Sequence, residues 1–580
     1  MRRRRRFLII FAVALILLSG SIWWQVHRWE KEAFALAKAG QTVASAMGDW
    51  TKALKVGDTQ AVLAMIDEAY ENPTQGDWQE SLSEAMDEVR IYSWAEVEPR
   101  PFTKAEMDRA LTDFLASFED LDYAKFKLLA IDEAENDRIL CRGTLWLRGT
   151  RTDNTAEVKA AFRLTLIKRE DQWRIARQSL LSGQTVVGPG TGFTDVALSV
   201  GLGDFRSRIN PDFATEAWFP KAFEIAQYSS PGISATDFDG DGWTDLFLAN
   251  GEEARLYRNL GGHFQDVTQE AGLAGLHTVN VAIFADFDND GDQDLFLGRF
   301  TEANLLFRNN GDGTFERTGE DIDWGGRIVA VAGAGDYDND GDLDLYLGRY
   351  LDPRVNLPTT PFYTRNSEGN SLMRNDGGLR FTNVTETAGV REGGLTLGVV
   401  WGDIDGDHDQ DLYVANDFGR NALFRNNGDG TFTDIASQSD ALDMGYGMSA
   451  TFGDVDDDGD LDIYVANVHS GQRWYGQAPT LKNYLITSIR SGTLWEDLPV
   501  YRQIRRHLGS RWSKAGDHII RGNSLLLNDG DGSFRDVSVK ANANPFGWYW
   551  GSTMWDFDND GDKDIYSANG WISAHNIEDY

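Results

Sequence analysis

The chain has 580 residues, 41% hydrophobic and 12% aromatic, too much chain for one ordinary core and too much apolar material for a disordered one. Ninety-one Asp and Glu against 55 Lys and Arg give a formal charge of −36, a field that repels a phosphate backbone and excludes nucleic acid as a partner. One cysteine, Cys141, excludes internal disulfides, Cys-rich zinc sites and iron–sulfur centres.

The chain opens on five arginines, Arg2–Arg6, followed by the apolar run Phe7–Trp24. A helix of roughly eighteen residues reaches about 27 Å, close to the hydrocarbon thickness of a bilayer. The flanking arginines predict a cytoplasmic N-terminus and an exported bulk, periplasmic or extracellular. Residues 1–28 therefore read as a signal-anchor transmembrane helix of a single-pass membrane protein. The alternative is a cleaved signal peptide, with Ser19 and Ser21 as the small residues before the cut, which releases a secreted protein.

Residues 29–183 read as a small α+β domain. Ala-, Leu-, Glu- and Lys-rich stretches predict mostly helix over residues 30–115, broken at Pro73, Pro99 and Pro101. From Tyr123 the pattern changes to strands at Phe126–Ile131, Ile139–Leu147, Glu157–Ile167 and Trp173–Gln178, with a hairpin turn at Lys168–Gln172. This order resembles, by pattern alone, the nuclear transport factor 2-like fold, helices on a curved sheet. Asp132, Glu133 and Glu135 are expected in a solvated turn, and Cys141 as a core thiol.

Residues 184–580 carry an internal repeat. It reads DFDGDGWTD at Asp237–Asp245, DFDNDGDQD at Asp286–Asp294, DYDNDGDLD at Asp336–Asp344, DIDGDHDQD at Asp403–Asp411, DVDDDGDLD at Asp454–Asp462 and DFDNDGDKD at Asp556–Asp564. So many carboxylates in nine residues repel one another unless a cation sits among them. Aspartates at positions 1, 3, 5 and 9 converge on one point, and hard oxygen ligands select Ca²⁺. The ligands expected are Asp237, Asp239, Asp241 and Asp245; Asp286, Asp288, Asp290 and Asp294; and Asp336, Asp338, Asp340 and Asp344. The remaining three loops supply Asp403, Asp405, Asp407 and Asp411; Asp454, Asp456, Asp458 and Asp462; and Asp556, Asp558, Asp560 and Asp564. An EF-hand is excluded: position 12 is Leu248, Leu297, Leu347, Val414, Val465 or Ser567, never Glu, and each loop runs into a β-type segment.

A second element alternates with the loops: an apolar pair, an Asn/Gly turn, then Phe-x-Asp-Val or a variant of it, as in Leu423–Ile435 and Leu525–Val537. Such turns between alternating apolar residues signal a tight hairpin. One repeat is thus strand, acidic loop, strand, hairpin: a four-stranded propeller blade. The loops start at 237, 286, 336, 403, 454 and 556, which gives six blades, with seven as the alternative. The last, long gap is assigned to an insertion, 468–522, inside the fifth blade. Thr185–Val196 is expected to supply the outer strands of the last blade and close the ring.

The D-x-D-x-D-G-x-x-D-L loops and their flanking strands resemble FG-GAP/VCBS repeats, the calcium-clipped propeller of integrin alpha chains and cartilage acidic protein. The resemblance spans roughly residues 185–580. It implies Ca²⁺ at about six blade loops and a role in adhesion or ligand recognition, not catalysis. Two departures stand out: His408 where the turn glycine belongs, which puts that site in doubt, and Trp243 at position 7 of the first loop.

No H-E-x-x-H, G-x-S-x-G or Walker motif is present, so no catalytic residue is assigned; a propeller enzyme acting on carbohydrate is the competing class. The insertion Val468–Gly522 holds nine basic residues against three acidic ones, with Trp474, Tyr475, Tyr484, Trp495, Tyr501 and Trp512 among them. It is expected either to contact a protein or glycan ligand or to lie on the propeller as a flap.

Overall fold

The computed structural model describes residues 38–569 except 73–77, 87–88, 97–101, 190–195, 204–231, 250–252, 300–301, 319–321, 352–363, 469–493, 510–521 and a few single positions. No described helix is long and apolar enough to cross a membrane, which overturns the expected single-pass topology. The segment that carried that expectation, residues 1–28, lies outside the described residues. The chain divides near residue 194 into two units.

The first unit begins with helix α1, residues 42–55, whose Val43, Met47, Trp50 and Leu54 recur at helical spacing and are buried together. Helices α2 (Thr59–Ala64) and α3 (Lys104–Ala116) follow, α3 opened by a capping box of Thr103 and Glu106. A six-stranded antiparallel sheet supplies the rest. Its strands are β1 (Trp78–Met86), β2 (Val89–Glu96), β3 (Asp120–Ala134), β4 (Arg138–Arg151), β5 (Asn154–Arg169) and β6 (Gln172–Gly188), in the order β1-β2-β6-β5-β4-β3. Alternate residues of β4 and β5, such as Leu145, Leu147, Val158 and Leu164, face the buried side, and Gly143 leaves room for the Phe126 ring. Glu170 and Asp171, both with positive φ, make the β5–β6 turn inside the span expected for it.

Two expectations differ from this fold. Residues 30–115 are not mostly helical, because β1 and β2 pair with each other and β2 pairs with β6, so long-range pairing overrides local helix propensity. Asp132 and Glu133 lie on β3 rather than in a turn, and Asp132 takes a forked pair from Arg142 at 3.1 and 3.2 Å. Cys141 is fully buried, as expected.

The second unit repeats one sheet. The first comprises β7 (Ile233–Thr236), β8 (Asp245–Leu248), β9 (Arg255–Asn259) and β10 (Phe264–Asp266). The second comprises β11 (Val279–Ala285), β12 (Asp294–Arg299), β13 (Leu305–Asn309) and β14 (Phe315–Thr318). The third has β15 (Val329–Gly335), β16 (Asp344–Arg349), β17 (Ser371–Asn375) and β18 (Phe381–Asn383). The fourth has β19 (Leu395–Gly402), β20 (Asp411–Asp417), β21 (Ala422–Asn426) and β22 (Phe432–Asp434). The fifth has β23 (Ser449–Gly453), β24 (Asp462–Ala466), β25 (Ser524–Asn528) and β26 (Phe534–Asp536), and β27 (Tyr549–Trp555) pairs with β28 (Asp564–Asn569) in the last. Each four-stranded sheet is an antiparallel meander, and the first strand of each sheet packs on the first strand of the next. This is the arrangement of blades in a propeller.

The long gap before the last loop is an insertion between two paired strands, β24 and β25. It contains helix α4 (Leu494–Leu508). Thr185–Gly188 does not complete the last sheet: it extends β6, pairing with Thr155–Val158, and Thr185 Oγ1 accepts a buried hydrogen bond from Trp94 Nε1 at 2.8 Å. Thr185–Val187 instead lies inside this sheet, paired with β2 on one side and β5 on the other.

Candidate metal centres

Each acidic loop leaves the first strand of a sheet and enters the second, so two paired strands fix its ends. The glycine at position 6 takes a positive φ, 97° at Gly291 and 93° at Gly341, which turns the chain back on itself. Position 1 is the hub of the turn. The carboxylate of Asp286 accepts the N–H groups of Asp290 and Gly291 at 3.1 and 3.0 Å. Asp237, Asp336, Asp403, Asp454 and Asp556 repeat the pattern. Position 5 accepts the N–H of position 7, as Asp340 does from Asp342 at 2.9 Å.

Position 9 is a brace. Asp294 Oδ2 accepts from Phe287 N at 3.1 Å and its Oδ1 from Asn309 N at 2.9 Å, and Asp245, Asp344, Asp411 and Asp462 make the same pair of bonds. All five are fully buried. Burial pushes their carboxyls up, with the other loop carboxylates adding in the same direction: Asp294 to about 7, Asp344 to about 8 and Asp411 to about 7.

The loops bring together the oxygens expected from the sequence, in part. Asp237, Asp239 and Asp245 place one oxygen each within 4.8 Å of one another, as do Asp336, Asp338 and Asp344; Asp403, Asp405 and Asp411; and Asp454, Asp456 and Asp462. In the second loop the triplet is Asp286, Asp288 and Asp290. Asp241, Asp340, Asp407 and Asp458 hold the position-7 N–H of their own loops, and Asp294 serves as the brace. In the sixth loop Asp556, Asp560 and Asp564 keep the same internal hydrogen bonds, while Asp558 lies outside the described residues.

These residues fit a hard divalent cation on one further observation. The Oδ1 atoms of Asp288, Asp338 and Asp405, all at position 3, are buried and accept no hydrogen bond. A buried anionic oxygen without a donor is costly to keep. In the second loop Arg308 Nε holds Asp288 Oδ2 at 3.0 Å and leaves Oδ1 for another partner, and Arg258 pairs with Asp239 Oδ2 at 2.5 Å in the first.

The departures are accommodated. His408 takes φ 73°, its N–H donates to Asp403 Oδ2 at 2.9 Å like the glycines, and its side chain points to solvent. Trp243 packs against Gly261 of the neighbouring hairpin.

Two sets of residues were missed in the sequence. Asn309, Asn375, Asn426 and Asn528 each donate from Nδ2 to the position-2 carbonyl of the preceding sheet, Phe238, Phe287, Tyr337 and Ile404, at 2.7 to 2.9 Å. The signal was available: an Asn closes the third strand of every hairpin, preceded by Arg in Arg308–Asn309, Arg374–Asn375 and Arg425–Asn426. The second set links neighbouring loops. Asn289 Nδ2 reaches Asp342 Oδ1 at 2.6 Å, and Asn339 Nδ2 reaches Asp409 Oδ1 at 2.6 Å.

The FG-GAP-like repeat family model matches residues 237–297, 286–347, 362–414 and 403–465, and the chain carries these repeats. It is related to cartilage acidic protein 1: 27% identical to the Homo sapiens protein over 216 residues, which is 35% of this chain and 32% of that one. The Xenopus tropicalis protein is 33% identical over 100 residues, 17% of this chain and 16% of that one. The chain thus matches about a third or less of the length of these relatives. Among solved structures, a putative scytalone dehydratase from Novosphingobium aromaticivorans is similar at 13% identity and a TM-score of 0.20, over 27% of this chain and 97% of that one. LinA is similar at 11% identity and a TM-score of 0.21, over 27% of this chain and 95% of that one.

Proposed function

We propose that residues 195–580 form a six-bladed propeller whose acidic loops hold Ca²⁺, and that the protein is a recognition module for a protein or glycan rather than an enzyme. The observation that carries the calcium reading is the set of unpartnered position-3 oxygens, buried beside braced carboxylates with raised proton affinity. A divalent cation supplies the missing counter-charge at each loop. All-oxygen ligands favour Ca²⁺ over softer-ligand metals, and so many carboxylates suit it better than the small octahedral shell of Mg²⁺. FG-GAP-like repeats and the relation to cartilage acidic protein 1 support recognition as the role.

Calcium binds the folded loops and not the unfolded chain, so each site at 100 times its Kd adds about 2.7 kcal/mol. Exhaustive chelation is expected to lower the melting temperature by many degrees, and Ca²⁺ to restore it far better than Mg²⁺. An unchanged melt after chelation sinks the assignment.

A further inference from the structure

Helix α4 has two chemically opposed sides. Leu498, Tyr501 and Ile504 join the buried cluster that contains Tyr413, Met444 and Tyr446, which fixes the helix on its sheet. The outer side carries Trp495, 80% exposed, with Pro499, Arg502 and Arg506 also exposed; Arg505, exposed too, lies seven residues from Leu498, on the flank of the buried side. Steps of four, three and four residues line up Trp495, Pro499, Arg502 and Arg506 along one side of the helix, a stripe about 16 Å long. None of the three arginines has an ion pair or hydrogen bond with a described residue. In a chain of charge −36, arginines with no carboxylate partner among the described residues are available to an anionic ligand.

We propose that this stripe docks a linear acidic polysaccharide, with its sulfate or carboxylate groups on the guanidinium forks of Arg502 and Arg506 and a sugar ring against the Trp495 indole. The inference rests on the recognition reading above and names its ligand class. Charge complementarity selects an anion, and guanidinium matches sulfate and carboxylate by two parallel hydrogen bonds. The narrowness of the stripe selects a chain over a protein face. A protein interface needs an apolar core several side chains wide, whereas the described residues of the stripe offer one indole and one proline flanked by charge. The buried side gives the stripe a rigid support, so little ordering is needed on binding.

The test uses the full chain in calcium, with heparin as the sulfated probe and polyglutamate as the protein-like control, at physiological ionic strength. Wild type is expected to bind heparin, and R502Q/R506Q to bind about tenfold or more weakly with an unchanged melt, because both side chains are solvent-exposed. W495A is expected to weaken heparin and leave polyglutamate unaffected. No heparin binding by wild type, equal binding by R502Q/R506Q, or equal loss of both probes in W495A overturns the proposal. Failure of the calcium reading shows separately, as a wild-type melt that ignores chelator.

Discussion

Asn309→Ala tests whether neighbouring sheets are stitched by side chains rather than by apolar contact alone. Asn309 closes β13 and is 1% exposed. Its Nδ2 donates to the Phe238 carbonyl of the first sheet at 2.9 Å and to the Gln293 carbonyl at 3.1 Å, and its Oδ1 accepts from Gly311 N at 3.1 Å. Its backbone bond to Asp294 survives the substitution. Truncation removes three hydrogen bonds and strands the Phe238 carbonyl in the core. At about 0.5–1.5 kcal/mol per net bond, and about 1–3 for a stranded buried group, the loss is about 3 kcal/mol. A unit of about 380 residues melts with about 2.1 cal/mol/K per residue, so the midpoint should fall by about 4 °C. Asn310→Ala is the control, since its amide reaches only the exposed Thr314 Oγ1, at 3.0 Å; it should stay within about 0.5 kcal/mol. Scanning calorimetry in calcium buffer decides. Equal melts for the two variants refute the stitching argument.

The raised carboxyls predict opposite pH responses with and without cation. Folded values of about 7, 8 and 7 for Asp294, Asp344 and Asp411 exceed the unfolded value of about 3.9, so their protonation stabilises the ion-free fold at low pH, and this is lost as pH rises through about 7 to 8. Chelated protein should therefore melt higher at pH 6 than at pH 8, while calcium affinity should fall over the same acidification because the cation must displace protons; a chelated melt that rises with pH contradicts this. His408→Gly removes a left-handed non-glycine residue and should stabilise by about 0.5–1 kcal/mol, read by urea unfolding; a destabilised variant would show that the imidazole has a structural role. Asn289→Ala frees Asp342 of the next loop and should weaken calcium binding severalfold in a calorimetric titration, whereas an unchanged isotherm would separate the two loops. Burial pushes the Cys141 thiol up to about 12, so alkylation by iodoacetamide should require denaturant, and rapid labelling of the native protein would contradict its burial.

The acidic loops were legible because each nonapeptide is locally complete: spacing alone places the position-1 carboxylate on two backbone N–H groups and the glycine in its turn. The hairpins were legible for the same reason, and β21–β22 and β25–β26 pair within the segments their apolar and Asn/Gly patterns marked. What failed depends on distant partners. The Trp78–Glu96 hairpin has the Ala and Glu content of a helix and becomes a strand pair because β6, about ninety residues away, offers an edge at Gln184–Val187. The Asn stitch joins residues 71 to 124 positions apart, and no single repeat displays it.

The last sheet shows what a repeat needs beyond its loop. Asp560 and Gly561 donate to Asp556, and Phe557 donates to Asp564, as in every other loop. Yet Asp564 is exposed where its five counterparts are fully buried, and Phe557 and Tyr566 are 53% and 59% exposed where Phe287 and Tyr346 are buried. Among the described residues this sheet has two strands, so no third-strand Asn covers Asp564. Upstream, the turn at Val196–Leu202 copies the one that follows the fourth strand elsewhere. Val200 N bonds Val196 O and Leu202 N bonds Ala197 O, as Ala271 N bonds Val267 O and Leu273 N bonds Thr268 O. It also gives the Val200 carbonyl to Phe264 N, as Ala271 gives its own to Phe315 N. The repeat is therefore separable. The nonapeptide specifies the hydrogen bonds within the loop, whereas the outer strands and the preceding sheet set how deeply the ninth carboxylate is buried, and so how much negative charge a cation is needed to neutralise.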